Sequence, residues 1–582
     1  MEVFVVENKI EKLYANYYSV LRNGNHDEGV DLEIKTMCFL NILNNDLISI
    51  NDLDLSDHGK FNRVMEREFS KQSDHKVKDV LVEIIKTGMF NHREELNIVN
   101  KKISELDNTT RIQLFNYDKD RTASSASWTT SKDIISLILQ LVDVRKFQSI
   151  LDLCSGKGTF LNECACINPD AKLTGYEINQ IANVVTKMRL MIHNSDLDLH
   201  RENVLQVSMK KKYDLAFSDY PWALRTTKDV EDDENMIVEY QRNRMKADWN
   251  FIFKAINSIN KNGKAIVIVP EGALFNIPDK VSRQQVIDKG LLEMIIKMPM
   301  GTYPSTSVQY SILVFSYGNK HVKYVDATEC YIGNRPTDKK IKIKSILDII
   351  HDQDESKCLV VDNETIAETD YNLSLSTYAN GVMDIQLQNP KPIKEIGEIL
   401  SGYQYTSRTL KELDPGQGNV SIVKITNIEE GTIDYSALAS AEIDEKKIEK
   451  YLLKDNDILI SSKGTTIKLA MVSDLKDRKV IPHNNLMVIR VTSDEVLSGY
   501  LCNFLNSSTG QKILKSLQTG SIIINITKNS LLDMNIPVVD MDTQETIINR
   551  YCILKEEITQ LKERLNILET KIQSIYDDEV GE

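Results

Sequence analysis

Short apolar runs alternate with helix-like segments through the middle of the chain. Runs such as residues 213–217 and 265–269 have the length of buried strands and are followed by turn residues. Between such runs, apolar residues recur every three or four positions, which is the spacing of an amphipathic helix. This alternation predicts an α/β, Rossmann-like domain whose sheet is mainly parallel and covered by helices on both faces.

The pattern changes toward both ends of the chain. The first 120 residues have helical spacing and few glycines or prolines, whereas short strands and turns follow a linker near residue 390. These changes predict four segments: a helical domain at 1–120, the α/β domain at 121–380, an α+β domain at 392–540 and a helix at 541–578.

Along the last segment, apolar residues alternate at four and three positions, as in a coiled coil. They are Ile547, Tyr551, Leu554, Ile558, Leu561, Leu565, Leu568, Ile572 and Ile575. We expect this seam to pair with a second helix and to form a homodimer, although one amphipathic helix lying on its own domain would have a similar pattern.

Composition excludes several classes of protein. The 582 residues carry a net charge of −14, which argues against indiscriminate nucleic-acid binding. Eight cysteines in so long a chain do not form a disulfide framework, and no spacing predicts a metal site. We find neither a membrane-spanning run nor a signal peptide, so a cytoplasmic protein is expected.

Candidate chemistry begins with Asp219, Tyr220, Pro221 and Trp222, which follow the apolar run at 213–217. An open α/β sheet binds ligands at this edge. A carboxylate and a backbone carbonyl there can each accept one N–H of an aromatic amino group, which makes its lone pair available for methylation. Trp222 offers a face on which an extruded base can stack. Alone, such a stretch is more often an ordinary turn.

A glycine loop follows an earlier apolar run and contains Gly156 and Gly158. The next strand-like run ends at Glu177, at the distance where nucleotide-binding folds place an acid on ribose hydroxyls. A dehydrogenase fingerprint would need a third glycine, where Leu161 stands, and no P-loop motif occurs. A plain tight turn stays open as the alternative to a nucleotide-binding loop.

Together these stretches resemble the amino-methyltransferases of DNA, specifically the modification subunit of type I restriction-modification systems. That family has an Asp-Pro-x-x-Gly-x-Gly-x-Phe loop and an Asn/Asp-Pro-Pro-aromatic motif, in which Leu153 and Tyr220 replace prolines here. The resemblance covers roughly residues 120–380 and implies S-adenosyl-L-methionine as the methyl donor. The donor-binding residues that it implies are Thr130, Asp152, Ser155, Gly156, Gly158, Phe160, Glu177 and Asn203.

The resemblance implies a site-specific methyltransferase acting on adenine in DNA, with Asp219 and the Tyr220 carbonyl holding the amino group. Three alternatives stay open: a catalytically silent relative that senses DNA, cytosine as the target, and a protein or RNA substrate. The replacement of a proline by Tyr220 motivates the first of these.

The region after residue 392 resembles the target-recognition domain of type I specificity subunits. Lys463, Thr465 and Thr466 lie in a glycine-containing turn suited to contacts with double-stranded DNA. Such subunits use long helices as spacers, so the C-terminal helix would join a second copy of this chain or a separate specificity chain. Since no motor motif occurs, restriction would require a further subunit.

Overall fold

The computed structural model describes two compact units, Met1–Leu373 and Ser374–Glu582. Within them, the described residues are 2–21, 27–43, 74–89, 94–118, 130–193, 197–225, 230–242, 246–303, 306, 308–333, 339–352, 357–378, 387–405, 412–429, 431–463, 467–519 and 525–580. Among these residues, no helix is both long enough and apolar enough to cross a membrane.

The described part of the first 118 residues is helical. Its helices are α1 (Glu2–Leu21), α2 (Asp27–Ile42), α3 (His75–Lys86), α4 (Glu94–Ser104) and α5 (Asn108–Phe115). Apolar side chains of these helices form a buried cluster that also includes Val184, Val185 and Met188 from the following α/β region. The N-terminal helices therefore share a core with the α/β region.

Nine strands of the first unit form one sheet. They are β1 (Ser149–Asp152), β2 (Lys172–Tyr176), β3 (Leu197–His200), β4 (Tyr213–Ser218), β5 (Ile259–Pro270), β6 (Leu292–Lys297), β7 (Tyr310–Phe315), β8 (His321–Asp326) and β11 (Cys358–Asp362). Two further strands in the described part of this unit, β9 (Tyr331–Ile332) and β10 (Lys340–Ile341), pair with each other.

The order of the large sheet is β11-β8-β6-β7-β5-β4-β1-β2-β3. Most neighbouring strands are parallel, but β7 is antiparallel to both β5 and β6, and β11 is antiparallel to β8. The sheet is thus mixed. A parallel return would need a crossover connection, and residues 298–309 between β6 and β7 contain no helix in their described part.

Helices link the strands of the sheet in the order that the periodicity predicts. They are α6 (Lys132–Val142), α7 (Thr159–Ile167), α8 (Gln180–Ile192), α9 (Asp248–Ser258), α10 (Lys280–Asp288), α11 (Ile343–Asp352) and α12 (Asn363–Glu368). Ser131 caps α6, since its side chain accepts the backbone N–H of Ile134.

The second unit combines small sheets with helices. Its helices before the C-terminal one are α13 (Leu375–Tyr378), α14 (Ile393–Ile396), α15 (Glu445–Ile448), α16 (Ser498–Asn506), α17 (Ser508–Ser516) and α18 (Lys528–Leu532). Its strands are β12 (Pro390–Pro392), β13 (Gly397–Ser401), β14 (Val420–Val423), β15 (Ile428–Glu429), β16 (Thr432–Ile433), β17 (Ala439–Ala441), β18 (Ile458–Ser461), β19 (Leu469–Met471), β20 (Val480–Pro482), β21 (Leu486–Val491), β22 (Gln518–Thr519), β23 (Asn525–Ile526) and β24 (Asn535–Pro537).

Two of these sheets have more than two strands, in the orders β13-β21-β18-β19 and β17-β14-β20. The first strand of the region, β12, pairs with its last strand, β24. The region from residue 390 to residue 537 is therefore closed on itself by backbone hydrogen bonds.

A single helix, α19 (Met541–Val580), completes the second unit. Its first turns pack against α16, where the Gln544 side chain accepts the backbone N–H of Leu497 at 2.9 Å. From Ile547 to Ile572 the apolar residues of the predicted seam are exposed, and Leu561 is 62% exposed. The side chain of Ile575 lies outside the described residues.

Candidate active site

The carboxyl ends of three neighbouring strands meet at one edge of the large sheet. β1 ends at Asp152, while Glu177 follows β2 and Asp219 follows β4. β1 lies between β2 and β4 and is parallel to both, so the strand order reverses direction here and leaves a crevice. The three acids predicted from separate motifs are therefore brought to the same edge.

The two glycines of the loop after β1 both have left-handed backbone, but for different reasons. A Cβ built on Gly156 (φ +51°) would point into open space, whereas one on Gly158 (φ +77°) would lie 2.5 Å from Cγ2 of Thr186 on α8. Gly158 is thus required by close packing of the loop on α8. Gly156 instead leaves room for a ligand.

Glu177 is held by the loop that it faces. Its Oε2 accepts the backbone N–H of Gly156 at 2.8 Å, and its Oε1 accepts that of Asn179 at 2.6 Å. Burial raises the pKa of the carboxyl, and these backbone hydrogen bonds oppose the rise. The side chain is therefore fixed in one orientation at the end of β2.

A cavity of about 450 Å³ lies at this edge. Of the predicted site residues, Gly156, Glu177, Asn203, Asp219 and Pro221 line it. Its apolar wall includes Ile178, Leu205 and Phe251. An apolar cavity of this size with a few convergent polar groups is typical of a small-molecule site.

Asp219 lies at the cavity between two hydroxyl groups. The Tyr303 hydroxyl lies 2.8 and 2.9 Å from its two carboxylate oxygens, and the Thr130 hydroxyl donates to Oδ2. Burial raises the pKa of Asp219 to about 6, although both hydroxyl groups act to lower it. Asp219 is therefore an acceptor that can hold hydrogens presented from the cavity.

The aromatic residues of the Asp219–Trp222 stretch are packed inward. Tyr220 stacks on Phe251 with ring centroids 4.8 Å apart, and Trp222 stacks on Tyr303 at 4.3 Å. Trp222 is only 8% exposed. A base can therefore reach this face of Trp222 only after Tyr303 moves, which sequence reasoning did not foresee.

Three predicted donor-binding residues lie in the protein core rather than on the cavity wall. Phe160 is buried and stacks on Phe217 at 4.2 Å. The Asp152 carboxylate accepts the backbone N–H of Cys154, and burial raises its pKa. Ser155 is also buried, with its N–H bonded to the Tyr176 carbonyl. These residues therefore support the glycine loop from the protein core and do not face the cavity.

Tyr303 and Glu28 are among the site residues that the sequence did not predict. Tyr303 lies between two strands in a stretch without hydrophobic periodicity, and Glu28 is on α2, far earlier in the chain. Glu28 nevertheless lines the cavity. No local pattern identifies either residue, because both reach the site through tertiary packing.

In the second unit, the predicted DNA-contacting turn is described only at Lys463. This residue is exposed and forms a β-bridge with Asn525. Thr465 and Thr466 lie outside the described residues. No group of three or more histidine, cysteine or acidic residues suited to a metal ion occurs in the described part of either unit.

Two family models match the chain, one in its α/β part and one in its C-terminal part. Residues 112–384 match the N-6 DNA methylase family, and residues 388–570 match the type I restriction-modification DNA specificity domain. The first match contains the whole candidate site except Glu28. The second contains Lys463 and most of α19.

Curated relatives include methylase subunits of type I restriction enzymes. The MjaVIII subunit from Methanocaldococcus jannaschii is 25% identical over 301 residues, covering 46% of this chain and 52% of the relative. The MpnII subunit from Mycoplasma pneumoniae is 20% identical over 299 residues, covering 45% and 55% respectively. The chain thus spans about half the length of the curated relatives that it matches.

A solved methyltransferase subunit of a type I restriction-modification system from Streptococcus thermophilus has a TM-score of 0.49 and 14% identity. The match covers 63% of this chain and 98% of the Streptococcus thermophilus subunit. Since this likeness is loose, the assignment rests on the sequence matches. Residues 112–384 thus match the N-6 DNA methylase family and residues 388–570 match the type I restriction-modification DNA specificity domain, so one chain is similar to both.

Proposed function

We propose that the protein is a site-specific DNA methyltransferase that transfers a methyl group from S-adenosyl-L-methionine to the exocyclic amino group of adenine. The observation that carries this proposal is the position of Asp219, a carboxylate at a cavity that also contains the glycine loop and Glu177. Methyl transfer needs both a nucleoside-containing donor and an acceptor for amino hydrogens, and one cavity offers both.

The residues at the cavity fit the donor. Open space at Gly156 admits a ligand close to the backbone, and Glu177 is fixed where it can accept from ribose hydroxyls. Ile178 and Leu205 offer apolar surface to a base, beside the Asn203 amide. S-adenosyl-L-methionine supplies an electrophilic methyl group when bound, and the acids around the cavity suit its positive charge.

The target amino group is held by Asp219 and by the backbone carbonyl of Tyr220. Each accepts one N–H, so the nitrogen lone pair is directed toward the methyl donor. Pro221 follows Tyr220 directly and restricts the backbone there, and Trp222 stacks on the base once Tyr303 has moved. Thr130 keeps the carboxylate oriented through its hydrogen bond. No strong base is required, because the methylated ammonium loses its proton easily.

The C-terminal region selects the DNA site in this proposal. The closed segment ending at β24 is the target-recognition domain, and Lys463, Thr465 and Thr466 contact double-stranded DNA. α19 pairs through its exposed apolar seam with a second copy or with a separate specificity chain. The four domains are 1–120, 121–380, 392–540 and 541–578, and a further subunit performs any restriction.

The test is transfer of a labelled methyl group from S-adenosyl-L-methionine to DNA of mixed sequence. Asp219→Ala should lower the rate at least about a hundredfold, because it removes an acceptor used at the reacting amine. Donor affinity, measured by calorimetry, should be unchanged. Asp198→Ala is the control, since this aspartate is exposed on β3. Wild-type activity in the Asp219→Ala variant would refute the assigned role.

A catalytically silent, DNA-sensing relative is the second candidate. Two observations favour it. Tyr220 replaces a proline of the family motif, and the Tyr303 hydroxyl lies within hydrogen-bond distance of both carboxylate oxygens of Asp219, which would otherwise accept from the target amino group. This candidate predicts specific DNA binding and no methyl transfer by the wild-type protein. It also predicts that Tyr220→Pro gains activity.

A further inference from the structure

One wall of the cavity comes from the N-terminal helices. Glu28 lies in the first turn of α2, is half-buried and lines the cavity together with Gly156 and Lys157 of the glycine loop. It lies outside the segment that matches the methylase family. An acidic side chain from another part of the chain is therefore added to the donor cavity.

Buried ion pairs fix α2 against the glycine loop. One helical turn after Glu28, Asp31 pairs with the Lys157 ammonium at 2.7 Å. The Lys157 carbonyl also accepts from Arg189 of α8 at 2.9 Å, and Arg189 pairs with Asp118 at 2.6 Å. Because these charges are buried, the loop cannot shift relative to α2 without leaving one unpaired. The position of Glu28 beside the loop is therefore well defined.

Charge assigns different roles to Glu28 and Asp31 of α2. Asp31 balances Lys157, which leaves that ammonium engaged within the protein. Glu28 is one turn closer to the cavity, and no described residue forms a hydrogen bond or ion pair with its carboxylate. A carboxylate in such a position favours a cationic group supplied by a ligand.

We propose that Glu28 binds the α-ammonium group at the amino-acid end of the methyl donor. This inference rests on the proposed function, because it presumes that S-adenosyl-L-methionine occupies the cavity. Glu177 takes the ribose after β2, and Glu28 takes the ammonium beside the glycine loop. The N-terminal helices thus contribute a donor-binding residue as well as a packing surface.

The test uses S-adenosylhomocysteine and its desamino analogue, which lacks only the ammonium group. Calorimetry on the full chain should give about tenfold to a hundredfold tighter binding of S-adenosylhomocysteine by the wild type. In Glu28→Gln that preference should disappear, because S-adenosylhomocysteine loses its charged partner while the analogue does not. Glu28→Asp keeps the charge and should retain part of the preference.

Glu202→Gln is the matched control, since Glu202 is another acid of the same cavity. Its preference for S-adenosylhomocysteine over the analogue should equal that of the wild type. An unchanged preference in Glu28→Gln, with circular dichroism like the wild type, would overturn the role of Glu28 alone. If the wild type binds neither compound, the proposed donor site itself is wrong.

Discussion

The two ends of the chain differ in whether their side chains find partners within the same unit. In the N-terminal region, Asp31 of α2 and Asp118, which follows α5, are buried and pair with Lys157 and Arg189 of the same unit. In α19, by contrast, the apolar side chains along one seam remain exposed from Ile547 to Ile572. The charged groups of the N-terminal region are thus paired within their own unit, whereas the apolar seam of α19 remains exposed to solvent.

This difference separates residues that complete the fold from residues that offer a contact. Buried ion pairs hold separate segments in register, and removing one partner leaves a costly charge. An exposed stripe of leucine and isoleucine at heptad spacing gains stability only when another apolar surface covers it. We therefore expect substitutions in the two regions to change different measurements.

The largest expected effect is on self-association through α19. Leu561→Asp with Leu568→Asp should convert a dimer to a monomer at micromolar concentration, because burying unpaired charges in the seam is strongly unfavourable. Light scattering measures the change. The melting temperature of the first unit should stay the same.

Lys562→Glu with Glu563→Lys is the control for this effect. Both residues lie outside the apolar seam of the helix, and the two substitutions together leave the net charge unchanged. A wild-type protein that is monomeric with and without DNA would reject the homodimer. A separate specificity chain would then be the expected partner of the seam.

The next largest effect is on stability of the first unit. Lys157→Met removes the nearer of the two lysines paired with Asp31 and leaves Lys35 at 3.8 Å. It should lower the free energy of unfolding by about 3 kcal/mol, the low end for broken buried pairs. Lys146→Met is the control, because Lys146 pairs with Asp143 at an exposed site and should contribute well under about 1 kcal/mol. Urea unfolding measures both. An equal decrease in the free energy of unfolding for both variants would show that the Lys157–Asp31 pair contributes no more than an exposed pair.

The two loop glycines should differ by a smaller amount. Gly158→Ala forces a Cβ against Thr186 and should cost about 1–3 kcal/mol more than Gly156→Ala, in which only the left-handed backbone is strained. Thr186→Ser should recover part of the loss by removing the nearest methyl group. If both glycine variants have the same urea midpoint, the loop can move away from Thr186 at little cost in free energy, and the close packing at Gly158 does not require glycine.

The smallest effect is on pH dependence. Because burial raises the pKa of Asp219 to about 6, the protonated form is favoured by folding, and stability from this group falls as pH rises from about 4 to about 6. Asp219→Asn should therefore raise the melting temperature at pH 7.5 but not at pH 4. The wild-type methylation rate should fall about tenfold per pH unit below about 6, where the acceptor becomes protonated. A rate independent of pH between 5 and 7 would contradict this.

Much of the sheet was predictable because buried strands have continuous apolar sequences and their helices have regular spacing. The direction of β7 was not, since an apolar run contains no information about direction. Asp152, Glu177 and Asp219 were each expected at the end of a strand, and the structure has all three at the same edge of the sheet. The packing of Phe160 in the core was missed, because a motif does not show which way a side chain points.

The polar partners of the site were also beyond local reasoning. Asp31 and Lys157 are 126 positions apart, and Thr130 is 89 positions from Asp219. Such pairs depend on tertiary packing, which hydrophobic periodicity in a short window does not describe. The heptad seam of α19 was visible in the sequence because its spacing is local.

The ion pair between Asp31 and Lys157 limits how far this protein can be divided into modules. A chain shortened to begin after residue 118 would keep Lys157 and Arg189 but lose both of their acids. Exchange of the N-terminal helices between relatives would meet the same obstacle unless the glycine loop were exchanged with them. We therefore expect the N-terminal helices and the glycine loop to vary together among relatives.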